Sequence, residues 1–268
     1  VARPAPPAQA SRVLTDPFEL EDLEATAWAD LYAAAPADSA RALGLSCVRL
    51  ERATVLRAHL PAPLFNRTLG VRALSPALLG ATPPGAYLQL APALLDDAAR
   101  AALDAAGFAA RSRWVKLARP PTPAPEVTSP LTVLAAGAEQ GTLFGEALCR
   151  AFELPPTLAP WNAALVGRPG WRCYLAFAGA EAVGTAALFR HGDLAWLGAA
   201  ATVPAHRRRG GQRALIARRI ADAIAAGARL LVSETGVPAP GARNPSLDNL
   251  QASGFAAAYE RANWSRAR

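Results

Sequence analysis

The chain has 268 residues, a formal net charge of +7, 52% hydrophobic residues and 18% charged ones. That composition excludes an intrinsically disordered chain and leaves room for one large domain or two ordinary ones. No run of 18 apolar residues reads as a membrane span and the first 15 residues hold no apolar stretch of signal-peptide length, so the expected location is cytoplasmic and no membrane partner is expected.

The opening segment, with Pro4, Pro6 and Pro7, reads as a loose terminus over Val1 to Ala10. Cys47, Cys149 and Cys173 have neither paired nor metal-ligand spacing, so they read as small buried hydrophobes, and no metal site is expected. The positive charge is nearly all arginine, Lys116 being the only lysine. Arginine is spread along the whole chain, and no helix-turn-helix, zinc or RNA-binding aromatic pattern accompanies it, which counts against a nucleic-acid partner. A pI near 10.1 also suits a protein that handles an anionic ligand.

In the first part, Gly85 to Leu90 reads as a strand. Leu103-Asp-Ala-Ala-Gly107-Phe108-Ala-Ala110 then ends a helix on glycine and leads into a strand containing Trp114. The clearest break follows: Arg119-Pro-Pro-Thr-Pro-Ala-Pro-Glu126, whose four prolines deny it helix and central strand. The expected division is an N-terminal domain over 1–118, a Pro-rich linker over 119–127 and a second domain over 128–268.

In the second part, Leu131 to Val133 reads as a short strand, Glu139 to Phe152 as an amphipathic helix and Leu158 to Val166 as a second helix. Arg172 to Ala178 and Ala182 to Arg190 read as a hairpin turned at Gly179-Ala-Glu181. Leu194 to Val203 is nearly all apolar, as a strand inside a sheet is. A helix over Gln212 to Ala226 follows, then a strand over Leu230 to Ser233. Leu250-Gln-Ala-Ser-Gly254-Phe255-Ala-Ala257 repeats the earlier helix-end pattern, again before a strand with a tryptophan, Trp264, so the two parts are expected to be structural repeats.

The segment that carries chemistry is Ala201-Thr202-Val203-Pro204-Ala-His206-Arg207-Arg208-Arg209-Gly210-Gly211-Gln212-Arg213. A glycine turn that leaves a buried strand and opens a helix aims several backbone N–H groups one way and adds the positive end of the helix dipole. Such a turn suits a phosphate or pyrophosphate. No G-x-G-x-x-G fingerprint and no P-loop lysine with Ser/Thr is present.

This turn resembles that of the GNAT superfamily of acyl-CoA N-acetyltransferases, which carry Arg/Gln-x-x-Gly-x-Gly/Ala between their fourth strand and third helix. Arg207 and Gly210 match; Gln212 replaces the final small residue. Asn244, ahead of Gly254-Phe255, also matches the family order, and the resemblance spans roughly 128–268. It implies a mixed α/β GNAT fold, here as two tandem GNAT-like domains with the first degenerate, and acetyl-CoA as co-substrate. It also implies transfer of acetyl to a primary amine of a small molecule. The cofactor would be held by Ala201, Thr202 and Val203 along an open strand edge, by Arg207 to Arg213 at the turn, and by Asn244. Glu234 is the candidate base, with Asn244 or Asn249 orienting substrate. The tyrosine that often serves as acid in the family is replaced by Leu250, with Tyr259 or Tyr174 as loose substitutes. Asn66-Arg67-Thr-Leu-Gly70-Val-Arg72 echoes the phosphate turn in the first part, where no cofactor is expected. The competing reading is a non-catalytic module that senses acetyl-CoA or binds nucleic acid through its arginines.

Overall fold

The structure is a computed structural model and describes residues 16–267; the terminal segment Val1 to Ala10 lies outside them. Helix α1 (Pro17–Ala33) starts where Asp16 accepts the Phe18 N–H and Pro17 takes the first turn. It buries Leu20, Leu23, Trp28 and Leu31 together with two carboxylates, Glu21 and Glu24. The first half continues through α2 (Ala37–Ala42), β1 (Ser46–Leu50), β2 (Ala53–Arg57), β3 (Arg67–Leu69), α3 (Pro76–Ala81), β4 (Tyr87–Gln89), α4 (Asp97–Ala105) and β5 (Phe108–Arg119). The second half opens on β6 (Thr132–Ala135) and then repeats that order: α5 (Gly141–Phe152), α6 (Ala159–Ala163), β7 (Trp171–Ala178), β8 (Glu181–His191), β9 (Leu194–Thr202), α7 (Gly211–Ala225), β10 (Leu230–Gly236), α8 (Pro245–Ala252) and β11 (Ala256–Arg266).

The two halves share one sheet, ordered β1-β2-β3-β4-β11-β5-β10-β9-β8-β7-β6. Each half sends its last strand into the other: β5 lies between β10 and β11, while β11 lies between β4 and β5. The central pair runs antiparallel with Trp114 opposite Arg261, the two residues that the Gly107/Gly254 correspondence makes equivalent. A pseudo-twofold axis therefore passes through that pair. Gly107 and Gly254 end α4 and α8 with φ of 76° and 85°, the left-handed turn that glycine adopts without a Cβ penalty.

Apolar side chains fill three layers. One lies between the sheet and α1, α5 and α6; a second lies beneath α7 and α8; a third lies beneath α3 and α4. At the axis sits a buried set of charges. Glu24 binds Arg67, Lys116 and Arg261, Glu21 binds Arg261, and Glu234 lies 3.3 Å from Lys116. Burial raises the Glu24 pKa, and the attraction of Arg261, Lys116 and Arg67 more than offsets it, holding the carboxyl well below its ordinary range.

Several expected boundaries shift. Arg119 is not linker: it is the last residue of β5, 3% exposed. Its guanidinium gathers the carbonyls of Pro120, Thr122 and Pro123, and that of Ser253, so the proline run is pinned to the sheet end. The helix expected from Glu139 begins at Gly141 after a 3-10 turn, and the one expected over Leu158 to Val166 shortens to α6 after a 3-10 turn at Pro156–Leu158. The echo at Asn66 to Arg72 is not a phosphate turn. Arg67 begins β3 and is fully buried against Glu24, and the helix after it has only six residues.

Candidate active site

Strands β9 and β10 run parallel and pair only from Leu194/Leu230 to Trp196/Val232. Past that point they part, because β9 bulges: its register against β8 slips between Thr185 and Ala187, and Ala199 takes a φ of 49°. Gly198 has no room for a Cβ, since the Trp196 ring occupies that space. Buried Arg219 of α7 straps the bulge, donating to the carbonyls of Gly198 and Ala187, both at 3.2 Å, and of Leu215 at 3.1 Å. Desolvation lowers its pKa to about 10, still far above neutrality. Ser233 adds a 2.8 Å bond to the Leu197 carbonyl. The result is a cleft of about 260 Å³ between the two strand ends.

At one end of the cleft lies the glycine turn. Pro204–His206 forms a 3-10 turn, Gly210 follows at φ 76°, and α7 starts with no side chain capping it. Helix starts leave their first N–H groups without intrahelical partners, so Gly211, Gln212 and Arg213 present amides and the positive dipole end together. Arg207, Arg208, Arg209 and Arg213 are exposed around it, and none makes an ion pair within 4.0 Å among the described residues. The Arg207 Nε donates to the Thr202 carbonyl at 3.0 Å, tying the turn to the end of β9. A loop of this kind fits the pyrophosphate of a nucleotide cofactor in charge and in free donors.

The open-edge assignment needs correction at two of its three residues. The Val203 N–H donates to the Val183 carbonyl at 2.8 Å, so it faces β8. Amides alternate sides along a strand, so Ala201 also faces β8 and Thr202 alone of the three faces the cleft edge. Gln212, at the position of the small residue, turns away from the loop. It donates to Ser246 Oγ at 3.0 Å and accepts from Asn249 Nδ2 at 2.7 Å, bracing α7 against α8. Asn244 caps α8 through Ser246 and Leu247 N–H, and its amide donates to Thr235 Oγ1 and the Gly236 carbonyl. All four of its hydrogen-bonding positions are thus in use within the protein, which removes it as a group that contacts substrate. His206 lies 3.7 Å from Glu181 and is not among the residues that line the cleft.

Glu234 lies within β10, which continues past the expected strand end at Ser233 to Gly236, and its side chain is 6% exposed. It lines the cleft on the face of α1, α5 and α6, accepts the Trp196 indole N–H at 3.0 and 3.1 Å, and faces Lys116. Burial, then repulsion from Glu24, raises its pKa above the ordinary carboxyl value, while Lys116, Arg261 and Trp196 hold it down in part. Neither tyrosine reaches the cleft: Tyr174 donates to Asp222 at 2.8 Å and Tyr259 to Glu21 at 2.6 Å. The α8 side chains that line it are Ser246 and Leu250.

Sequence reasoning missed the bulge at Gly198–Ala200, the Arg219 strap and the first-half residues on the wall. Trp28 and Leu31 of α1, Phe65, and Trp114 of β5 all line the same cleft. Only the lone glycine inside an apolar strand was a visible signal for the bulge.

No protein-family model matches the sequence, and no curated protein is similar to it. Solved structures are similar in fold. A GCN5-related N-acetyltransferase from Kribbella flavida superposes with a TM-score of 0.60 at 16% identity, over 92% of this chain and 95% of that one. A tandem GNAT protein from the clavulanic acid biosynthesis pathway does so at 0.54 and 17% identity, over 90% and 94%. A GCN5-related N-acetyltransferase from Sphaerobacter thermophilus matches at 0.55 and 15% identity, over 67% of this chain and 58% of that one. The chain has the GNAT fold, as a tandem pair in one sheet.

Proposed function

We propose that the protein is an N-acetyltransferase with a single working site, in the second half, that carries acetyl from acetyl-CoA to a primary amine of a small molecule. The observation that carries this reading is the parting of β9 from β10 onto an uncapped, glycine-opened helix start ringed by unpaired arginines. The first half lacks that apparatus: its α3 is short, Ser75 caps it, and Arg72 is paired with Asp22.

Bound acetyl-CoA supplies an activated thioester. The turn from Arg207 to Arg213 holds its pyrophosphate, and the Thr202 edge accompanies its arm. Glu234 sits on the opposite side of the cleft from α7 and takes the proton of the incoming amine as the N–C bond forms and the C–S bond breaks; its raised pKa makes it a better base near neutrality. Ser246 accepts from Gln212 and so keeps its own proton free to hydrogen-bond the departing sulfur, in the place of the family tyrosine. Asn244 and Gln212 act by holding α8 against β10 and α7.

Calorimetric titration with acetyl-CoA, on wild type and Gly210→Asp, tests the reading. Aspartate places charge and a Cβ 3.2 Å from the Thr128 carbonyl at a residue with φ 76°, which costs about 1–2 kcal/mol in strain. Binding in wild type that vanishes in a still-folded variant supports the site. A wild type that binds no acetyl-CoA but binds DNA with steep salt dependence supports the arginine-rich binding module instead.

A further inference from the structure

The cleft wall opposite α7 and α8 has a composition of its own. Four tryptophans meet there, Trp28, Trp114, Trp171 and Trp196, joined by Phe65 and by Phe152 at 40% exposure. Trp171 and Trp196 stand edge to face with centroids 6.2 Å apart, and Trp28 and Phe65 do the same at 6.3 Å. Among the described residues, two polar side chains lie on this wall, Glu234 and Asn162, and the Asn162 amide is already bonded to the Leu158 carbonyl at 2.9 Å. The other charged group in the cleft, Arg219, lies on the far face with its Nε and Nη1 on backbone carbonyls.

Resting on the transferase reading above, we propose that the acceptor is a small amine on an apolar body, an arylalkylamine or alkylamine, with one positive charge and no other. Aromatic faces attract a cation and bury an apolar skeleton, and a single carboxylate matches a single ammonium. Trp196 donates to both oxygens of Glu234, so one ring fixes the carboxylate and forms the wall beside it. An amino acid would bring a carboxylate to a wall whose one charged group, Glu234, is itself a carboxylate. A polyamine or aminoglycoside would bring further ammonium or hydroxyl groups that this wall leaves unpaired, which is costly in a desolvated site. Volume points the same way: 260 Å³ lies below the usual span of about 300–1,000 Å³ for drug-sized ligands. Because Trp28, Phe65 and Trp114 come from the first half, that half would contribute directly to acceptor choice.

The test is binding, read apart from turnover. Quenching of the protein's own tryptophan fluorescence is followed as phenethylamine, hexylamine, alanine, spermidine or kanamycin is added to the full chain with acetyl-CoA present. Thiol release is measured in parallel. Phenethylamine and hexylamine are expected to bind at least about tenfold more tightly than the other three. Trp28→Leu should lose most of that preference; Phe152→Ala, at the exposed rim, serves if Trp28→Leu does not fold, and should weaken phenethylamine more than spermidine. Phenethylamine binding without thiol release would uphold recognition of an apolar amine by this wall and sink the transferase reading. Equal or tighter binding of alanine, spermidine or kanamycin, or no binding of any amine, would overturn the assignment.

Discussion

Replacing Glu234 by glutamine separates its two roles, base and member of a buried charge set. Glutamine keeps the shape and still accepts the Trp196 N–H, so the wall beside it should persist. What disappears is the proton acceptor, and removal of a general base costs about 10²–10⁴ in rate. Stability changes less. The wild-type set has three cations, Arg67, Lys116 and Arg261, facing Glu21, Glu24 and Glu234. Breaking a buried ion pair ordinarily costs about 3–5 kcal/mol. Glu234, however, has a raised pKa, so the fold already disfavours its ionised form, and the cost should fall below that range. The sign of the pH dependence follows from the same shift. The base works only when ionised, so the rate should rise with pH along a limb displaced upward from 4.5, and Glu234→Gln should flatten that limb. The assay is thiol release across about pH 5 to 9 with saturating acetyl-CoA, with acetyl-CoA affinity measured alongside. A variant within about threefold of wild type that keeps the same limb would refute the assignment, since removing a true base costs far more.

The other predictions concern the scaffold. Arg219→Met should remove the hydrogen bonds to the Gly198, Ala187 and Leu215 carbonyls, cost about 0.5–1.5 kcal/mol per bond in chemical denaturation, and raise KM for acetyl-CoA through loosening of the bulge. Gly145→Ala should destabilise by about 1–3 kcal/mol, because a Cβ there runs into the Ala159 carbonyl where α5 crosses α6; an unchanged melting temperature would show that this contact yields. Glu24, whose pKa is lowered, contributes stability that is fully present above its unfolded value near 4.5 and is lost as pH falls toward the folded one. Glu24→Gln should abolish that acid slope and destabilise at neutral pH by about 3–5 kcal/mol, measured by urea titration at several pH values.

Much of the fold was legible because its signals are local. Gly107 and Gly254 announce helix ends through a backbone conformation that glycine takes cheaply, and the repeat they mark is real in three dimensions. The hairpin, the apolar β9 and the helix after Gly210 follow from side-chain periodicity read over a few turns. The proline run does end a strand, β5, although Arg119 belongs to that strand. The Arg67 echo shows the limit of a short pattern: an Arg-x-x-Gly spacing is short-range, whereas a phosphate turn also needs a long helix behind it and an unpaired arginine, and Arg67 has neither.

What the amino-acid order determined by itself is the succession of elements and the glycine turn, because propensity, periodicity and positive-φ glycines act within a few residues. The tertiary structure alone decided which strands meet. The exchange of β5 and β11 brings Lys116 beside Glu234 and Trp114 into the cleft, residues far apart in sequence that no spacing connects. It also decided which polar groups are free. Asn244 and Gln212 are committed to α8, Val203 to β8, and Glu234 is buried with a raised pKa. Burial and hydrogen-bond partnership are properties of neighbours in space, and the chain acquires those neighbours only when both halves close into one sheet.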